Sequence, residues 1–269
     1  MIPFNKAHAC GNDFLIVTED AAAGQDWADL TRRLCARNTG IGADGIEFFA
    51  WTGPRTGRIR LHNADGSIAE ISGNGTRCVA AWMAEERKFQ AGDEVEIFTD
   101  AGPRVCRVNA LNADHEFTVE VTAGMSIPTF ALKSVTLANA ETVEGVEVST
   151  GNPHFVIVTD GDFFLLPWQQ MGREICEHSD FPQQTNVEFV RVVNEQEIEI
   201  RIFERGVGPT TSSGTGSSAS ATAAIALGLA KSPLKVVAPG GAQVVEWSGP
   251  GTELKLTGPA SLIARGEAW

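Results

Sequence analysis

The sequence predicts an α/β fold of two pseudo-symmetric domains, each with many strands curled around one helix. Three observations carry this. Ser72-Gly73-Asn74-Gly75 and Ser213-Gly214-Thr215-Gly216 stand 141 residues apart, and each opens a stretch that reads as a helix. Other landmarks share the spacing: Gly11-Asn12 is answered by Gly151-Asn152, and Asn63 precedes Ser72 by nine residues as Glu204 precedes Ser213. Such matches at one offset mark a duplicated domain. Third, the segment SSASATAAIALGLA carries no charge. A helix apolar all round is buried on all sides, which places it inside a curled sheet.

The elements follow in order. Residues 7–17 contain a strand ending in DFLIV. Asp26 to Ala36 reads as an amphipathic helix with Trp27, Leu30 and Leu34 on one face. Arg58 to Asn63 is a short strand, and Thr76 to Lys88 a helix rich in Ala, Met, Glu and Arg. Val95 to Thr99, Val105 to Val108 and Glu116 to Val121 are strands. The second half opens near Gly124 and Pro128. Its strands are Val143 to Val148, Phe155 to Val158, Val187 to Val193 and Ile198 to Phe203, rich in β-branched residues. Ser217 to Leu229 is the buried helix. Lys235 to Val237, Ala242 to Trp247 and Glu253 to Thr257 complete the set. The domains are expected at 1–122, joined by a C-terminal strand 258–269, and at 123–257.

Composition narrows the function. At 269 residues the chain can build two cores. A net charge of −13 argues against nucleic acid or an anionic membrane surface as partner. No apolar run reaches a membrane span and no signal peptide opens the chain. Five cysteines without a CxxC pair fit reduced thiols in a cytoplasm better than disulfides or zinc. The histidines show no metal-ligand spacing, so no metal site is expected.

Glycines beside Ser72 and Ser213 let the backbone expose consecutive N–H groups at a helix start. Such a start carries unpaired donors and a partial positive charge, which suit a carboxylate or phosphate. A single serine there is usually a plain N-cap; the duplicate makes a symmetric anion site, with the two starts facing each other. Asn12, Asn63, Asn152 and Asn186 stand in turn-rich contexts at strand ends, where asparagine often serves a left-handed turn; their repeat-related placing suggests polar substrate recognition. Glu204-Arg205 is either a surface pair of small worth or a grip on the ammonium and carboxylate of a zwitterion. His154 is either a pocket group or a packed imidazole. Gly40 to Gly45, GIGADG, resembles a dinucleotide loop only superficially, because no suitable strand precedes it.

These strings together resemble the diaminopimelate epimerase family. GNDF at 11–14, GIGADG at 40–45, NADGS at 63–67 and GNGTRC at 73–78 are similar to its first half. GNPH at 151–154, TNVEFV at 185–190, ERGVG at 204–208 and SGTG at 213–216 are similar to its second. The resemblance implies two mixed β-barrels, each around a central helix, and a homodimer. It implies a cofactor-independent isomerase that interconverts LL- and meso-diaminopimelate, in the lysine and peptidoglycan precursor pathway, by moving the α-proton between faces. The helix starts with Gly73, Asn74, Gly214 and Thr215 would hold the reacting carboxylate. Residues at Asn63, Asn152, Asn186, Glu204 and Arg205 would hold the distal end, with Asn12 and His154 nearby.

The chain departs from that pattern at its centre. The family's two catalytic cysteines fall at Ser72 and Ser213. A cysteine titrates near ~8.5 and can be tuned toward neutrality, whereas a serine hydroxyl needs an adjacent base. No histidine neighbours either serine in sequence. Cys10, two residues before Asn12, remains a thiol. The expected function is therefore a diaminopimelate epimerase with impaired turnover. The alternatives are a same-fold isomerase or dehydratase acting on another amino acid or small acid, and a catalytically silent amino-acid-binding protein.

Overall fold

Local sequence signals account for most element boundaries. A computed structural model describes residues 1–111, 115–122, 127–159 and 161–269. The chain divides into two compact units, Met1–Gly124 with Thr257–Trp269, and Met125–Leu256. The junction expected at 122/123 abuts residues 123–126, which lie outside the described residues.

The first unit begins with β1 (Ile2–Ala9) and β2 (Asn12–Thr18). One strand was expected across residues 7–17. The structure breaks it at Cys10 and Gly11, whose φ angles are 52° and 82°. Two successive left-handed residues make the tight turn that joins antiparallel strands. Then come α1 (Trp27–Cys35), β3 (Gly45–Trp51), β4 (Thr56–Asn63), β5 (Ile68–Ala69), α2 (Gly73–Arg87), β6 (Glu94–Thr99), β7 (Gly102–Leu111) and β8 (Glu116–Thr122). Asp26 caps α1 by accepting from the Asp29 amide, the arrangement that an acidic N-cap favours. Helix α1 connects β2 to β3, which pair in parallel. Strand β4 pairs with β3 and, in parallel, with β6. Beyond β7 and β8 the sheet closes through a late strand, β17 below, which pairs with both β8 and β1. Eight strands thus form a closed barrel.

Helix α2 fills it. Every residue from Asn74 to Ala84 is buried. Cys78, Val79, Trp82 and Met83 pack with Phe14, Phe49, Ile59, Leu61, Val95 and Val119 of the wall. Phe49 and Trp82 meet edge to face, with ring centroids 4.8 Å apart, a geometry worth about 0.5–1.5 kcal/mol beyond area burial. The helix stops at Lys88, which turns left-handed at φ 56°.

The second unit repeats this order. It comprises β9 (Thr129–Thr136), β10 (Thr142–Ser149), β11 (Pro153–Val158), α3 (Trp168–Cys176), β12 (Asn186–Asn194), β13 (Glu197–Glu204), β14 (Gly208–Thr210), α4 (Gly214–Ala226), β15 (Leu234–Ala238), β16 (Gly241–Trp247) and the start of β17 (Leu254–Ala268). The pairings match as well: β11 with β12 in parallel, β12 with β13 antiparallel, β13 with β15 in parallel. Helix α4 packs against β10 to β13, β15 and β16, so the sheet curls around an uncharged helix. Its first turn begins three residues before the expected Ser217. The glycines at 214 and 216 disfavour helix locally, and tertiary burial overrides them. Strands β3 and β9 and helix α3 escape the sequence reading altogether. Among the described residues, no helix is long and apolar enough to cross a membrane.

Candidate functional site

In the first unit the site is built on the start of α2. Ser72 is its N-cap, with extended backbone at φ −124° and ψ 123°. Its Oγ accepts from the Gly75 amide at 3.0 Å, and its carbonyl accepts from the Thr76 hydroxyl at 2.8 Å. Gly73 is the first helical residue. Asn74 is buried; its Nδ2 donates to Asn12 Oδ1 at 3.1 Å, and its Oδ1 accepts from Arg77 at 2.6 Å. Asn12 in turn donates to Asp44 Oδ2 at 2.6 Å. The GIGADG segment therefore holds no nucleotide loop geometry of its own. It delivers Asp44 to the amide of Asn12, and Arg37 ties Asp44 to Asp13. Burial raises the Asp13 carboxyl, but hydrogen bonds and charge from Arg37 and Lys6 outweigh it and hold the group below the usual carboxylate range. Asn63 stands at the end of β4, exposed, with Nδ2 donating to Ser67 Oγ at 3.1 Å. Cys10 is buried in the hairpin turn.

The second unit carries the matching start of α4. Ser213 is the N-cap at φ −146° and ψ 128°, and its Oγ accepts from the Gly216 amide at 3.2 Å. Gly214 opens the helix, and Thr215 Oγ1 lies 3.4 Å from Ser213 Oγ. Asn152 Nδ2 reaches Thr215 Oγ1 at 3.4 Å. His154 is fully buried. Its Nε2 meets Asn152 Oδ1 at 2.9 Å and its Nδ1 meets Glu188 Oε1 at 2.8 Å. The imidazole thus orients Asn152 from behind and does not reach solvent. Asn186 donates to the Pro153 carbonyl and accepts from the Arg205 amide, both at 3.0 Å. The Arg205 side chain is exposed and donates to the Gln183 carbonyl at 3.0 Å.

Glu204 changes the chemistry. Burial raises its pKa, and the neighbouring Ser213 hydroxyl partly offsets the rise. An acid thus lies beside Ser213 that sequence adjacency did not show, because β13 brings it there from nine residues upstream.

Two further groups went unnoticed in the sequence. Glu47 and Glu188 are fully buried and stand 141 residues apart. Each abuts the third residue of its helix. A Cβ built on Gly75 would overlap Glu47 Oε1, and one built on Gly216 would lie 2.8 Å from Glu188 Oε1. Burial pushes Glu47 up to about 8 and raises Glu188 as well, with His154 pulling the latter back. The repeat offset was the signal that could have found them. Among the described residues, no group of three His, Cys, Asp or Glu side chains is arranged to hold a metal ion.

Within each unit, then, a capped helix start, a fixed asparagine and a buried acid come together. That set can hold an anion and handle a proton. A model of the diaminopimelate epimerase family matches residues 4–126 and 146–263. Diaminopimelate epimerase of Halothermothrix orenii is 34% identical over 99% of this chain and 97% of its own length. That of Microcystis aeruginosa is 36% identical over 98% of each. Among solved structures, a Bacillus anthracis phenazine biosynthesis protein of the PhzF family matches with a TM-score of 0.71 at 15% identity, covering 100% of this chain and 99% of the other. A hydroxyproline epimerase from Agrobacterium vitis matches at 0.68 and 15%, covering 98% and 90%. These two show the fold.

Proposed function

We propose that this chain, which belongs to the diaminopimelate epimerase family, interconverts LL- and meso-diaminopimelate by two-base proton transfer, with Ser72 and Ser213 in the acid/base positions. It is an isomerase of the epimerase/racemase type. The observation that carries the site assignment is the repeated serine-capped helix start, at the same place in two matching topologies. Helix starts stabilise a carboxylate, and an aci-carboxylate more so, because charge builds there as the α-proton leaves. Glu204 takes the proton that Ser213 gives up, so the hydroxyl can act as a base. The opposite serine returns a proton from its hydroxyl. Serine is a weak acid, so turnover is slow. Asn152, Asn186 and Arg205 grip the distal end of the substrate, together with Asn63; Asn12 and Asn74 fix the first helix start, and Gly73, Gly214 and Thr215 shape the two turns.

We place the enzyme in the cytoplasm as a homodimer. Five free, buried cysteines support a reducing compartment, and the family resemblance supports the dimer. The test is α-proton exchange. LL-diaminopimelate incubated with the protein in deuterium oxide should gain deuterium at Cα and yield the meso isomer. Binding without exchange would show a silent amino-acid-binding protein. Neither binding nor exchange would sink the substrate assignment.

A further inference from the structure

The two buried glutamates are equivalent by strand register, but their surroundings differ. On β3 and its parallel neighbour β2, Phe14 pairs with Gly45 and Ile16 with Glu47. On β12 and β11, His154 pairs with Asn186 and Val156 with Glu188. Phe14 therefore occupies in the first unit the place His154 occupies in the second. Glu188 has the imidazole at 2.8 Å. Glu47 has a phenyl ring there, and neither of its carboxyl oxygens has a hydrogen-bond partner.

That unpartnered acid abuts a helix start. Glu47 Oε1 and Ser72 Cβ crowd the same point beside Gly75, the serine carbon 3.3 Å from it. The wall strands offer Glu47 no charge, because β2 turns Phe14 and Ile16 inward and β4 turns Ile59 and Leu61. The titratable groups inside are Arg77 and Cys78 on α2, Cys106 on β7 and Cys10 in the hairpin turn. Arg77 is engaged with Asn74 and Cys10. Both thiols of the barrel interior, Cys78 and Cys106, are pushed up by burial and are uncharged at neutral pH.

We propose that Glu47 is a positioning residue of the first helix start: as a neutral acid it leaves the Ser72–Gly75 turn able to hold a carboxylate, and as an anion it expels one. This rests on the reading of that turn as a carboxylate site. An anion and an ionised carboxyl beside the same backbone N–H groups repel strongly at low dielectric. Binding and Glu47 protonation are therefore linked, and each favours the other by the same factor. Burial supports a neutral group at pH 7 and an ionising one just above it.

The test uses two probes, diaminopimelate and propionate, the latter lacking any group that titrates near pH 8. Affinity is measured by calorimetry from pH 6 to pH 10 in two buffers of different ionisation enthalpy. For propionate the unmodified protein should lose about tenfold in affinity per pH unit above its midpoint and take up about one proton per anion at high pH. Glu47→Gln should bind propionate without that decline. An affinity independent of pH, or binding without proton uptake, overturns the inference, and the uptake measurement needs no variant. Propionate binding with the expected profile while diaminopimelate fails to bind upholds the inference and removes the proposed substrate. Failure of both probes at every pH overturns both.

Discussion

Asn63 closes β4 as Glu204 closes β13, so one repeat position carries an amide in the first unit and an acid in the second. The acid faces Ser213 and is kept partly protonated by burial, while the amide spends its donor on Ser67. The two halves are thus alike in backbone and unlike in proton-handling.

Glu204→Gln should remove the base that serves Ser213. General acid–base catalysis contributes about 10²–10⁴-fold, so exchange of the α-proton should fall by about 100-fold or more. Binding should weaken less, and the circular dichroism spectrum should not change. Steady-state kinetics of deuterium wash-in check this. An unchanged kcat would show that Glu204 does not act on the proton.

Restoring thiols should raise activity. Ser72→Cys together with Ser213→Cys places tunable acids at both helix starts, and epimerisation should increase sharply, by about 100-fold or more. Either change alone should give little full turnover, because the other face still carries a serine. Partial exchange on one face can survive in a single variant. A double-serine chain already turning over at about 1–1000 per second would show that thiols are not needed.

Arg205→Lys should weaken diaminopimelate binding by roughly ten- to a hundredfold, the worth of one charged hydrogen bond of about 1.5–3 kcal/mol. The planar guanidinium fork matches a distal carboxylate in a way an ammonium does not. Titration of both proteins with diaminopimelate and with lysine checks it. Equal affinity of the unmodified protein for the two ligands would show that Arg205 does not read the carboxylate.

Stability should fall as pH rises. The folded-state pKa of Glu47 is raised from 4.5 to about 8, so between these values the folded chain binds the extra proton. Linkage then makes unfolding easier with increasing pH across that window, by at most about 5 kcal/mol in total. Glu47→Gln should remove this slope and leave the variant more stable than the parent above pH 8. Urea unfolding at pH 5, 7 and 9 checks it, and parallel pH dependences would overturn it.

Much of the fold can be read from the chain because the duplication repeats its landmarks. Ser72 and Ser213 announce both central helices, and the uncharged run after Ser213 says that the second is enclosed. Chemistry was less visible. Glu47 in GIEFFA and Glu188 in NVEFVR look like the polar members of ordinary strands. Only the closed sheet shows that they share the inner face with Gly45, Phe49 and Asn186. Glu204 read as half of an ion pair because nine residues of chain separate it from Ser213. The Cys10-Gly11 turn was hidden by the apolar run on both sides of it.

The pairing of β17 with β1 has a consequence for how the molecule is made. Residues 2–9 find one neighbour at once in the hairpin, but their other neighbour is residues 261–268. During synthesis the first barrel stands open along β1 and β8 until more than 250 residues have emerged. Bare strand edges attract other chains. The unit begun first is therefore the one completed last, and cutting β17 should leave an aggregation-prone first half beside a second half that keeps its own helix enclosed.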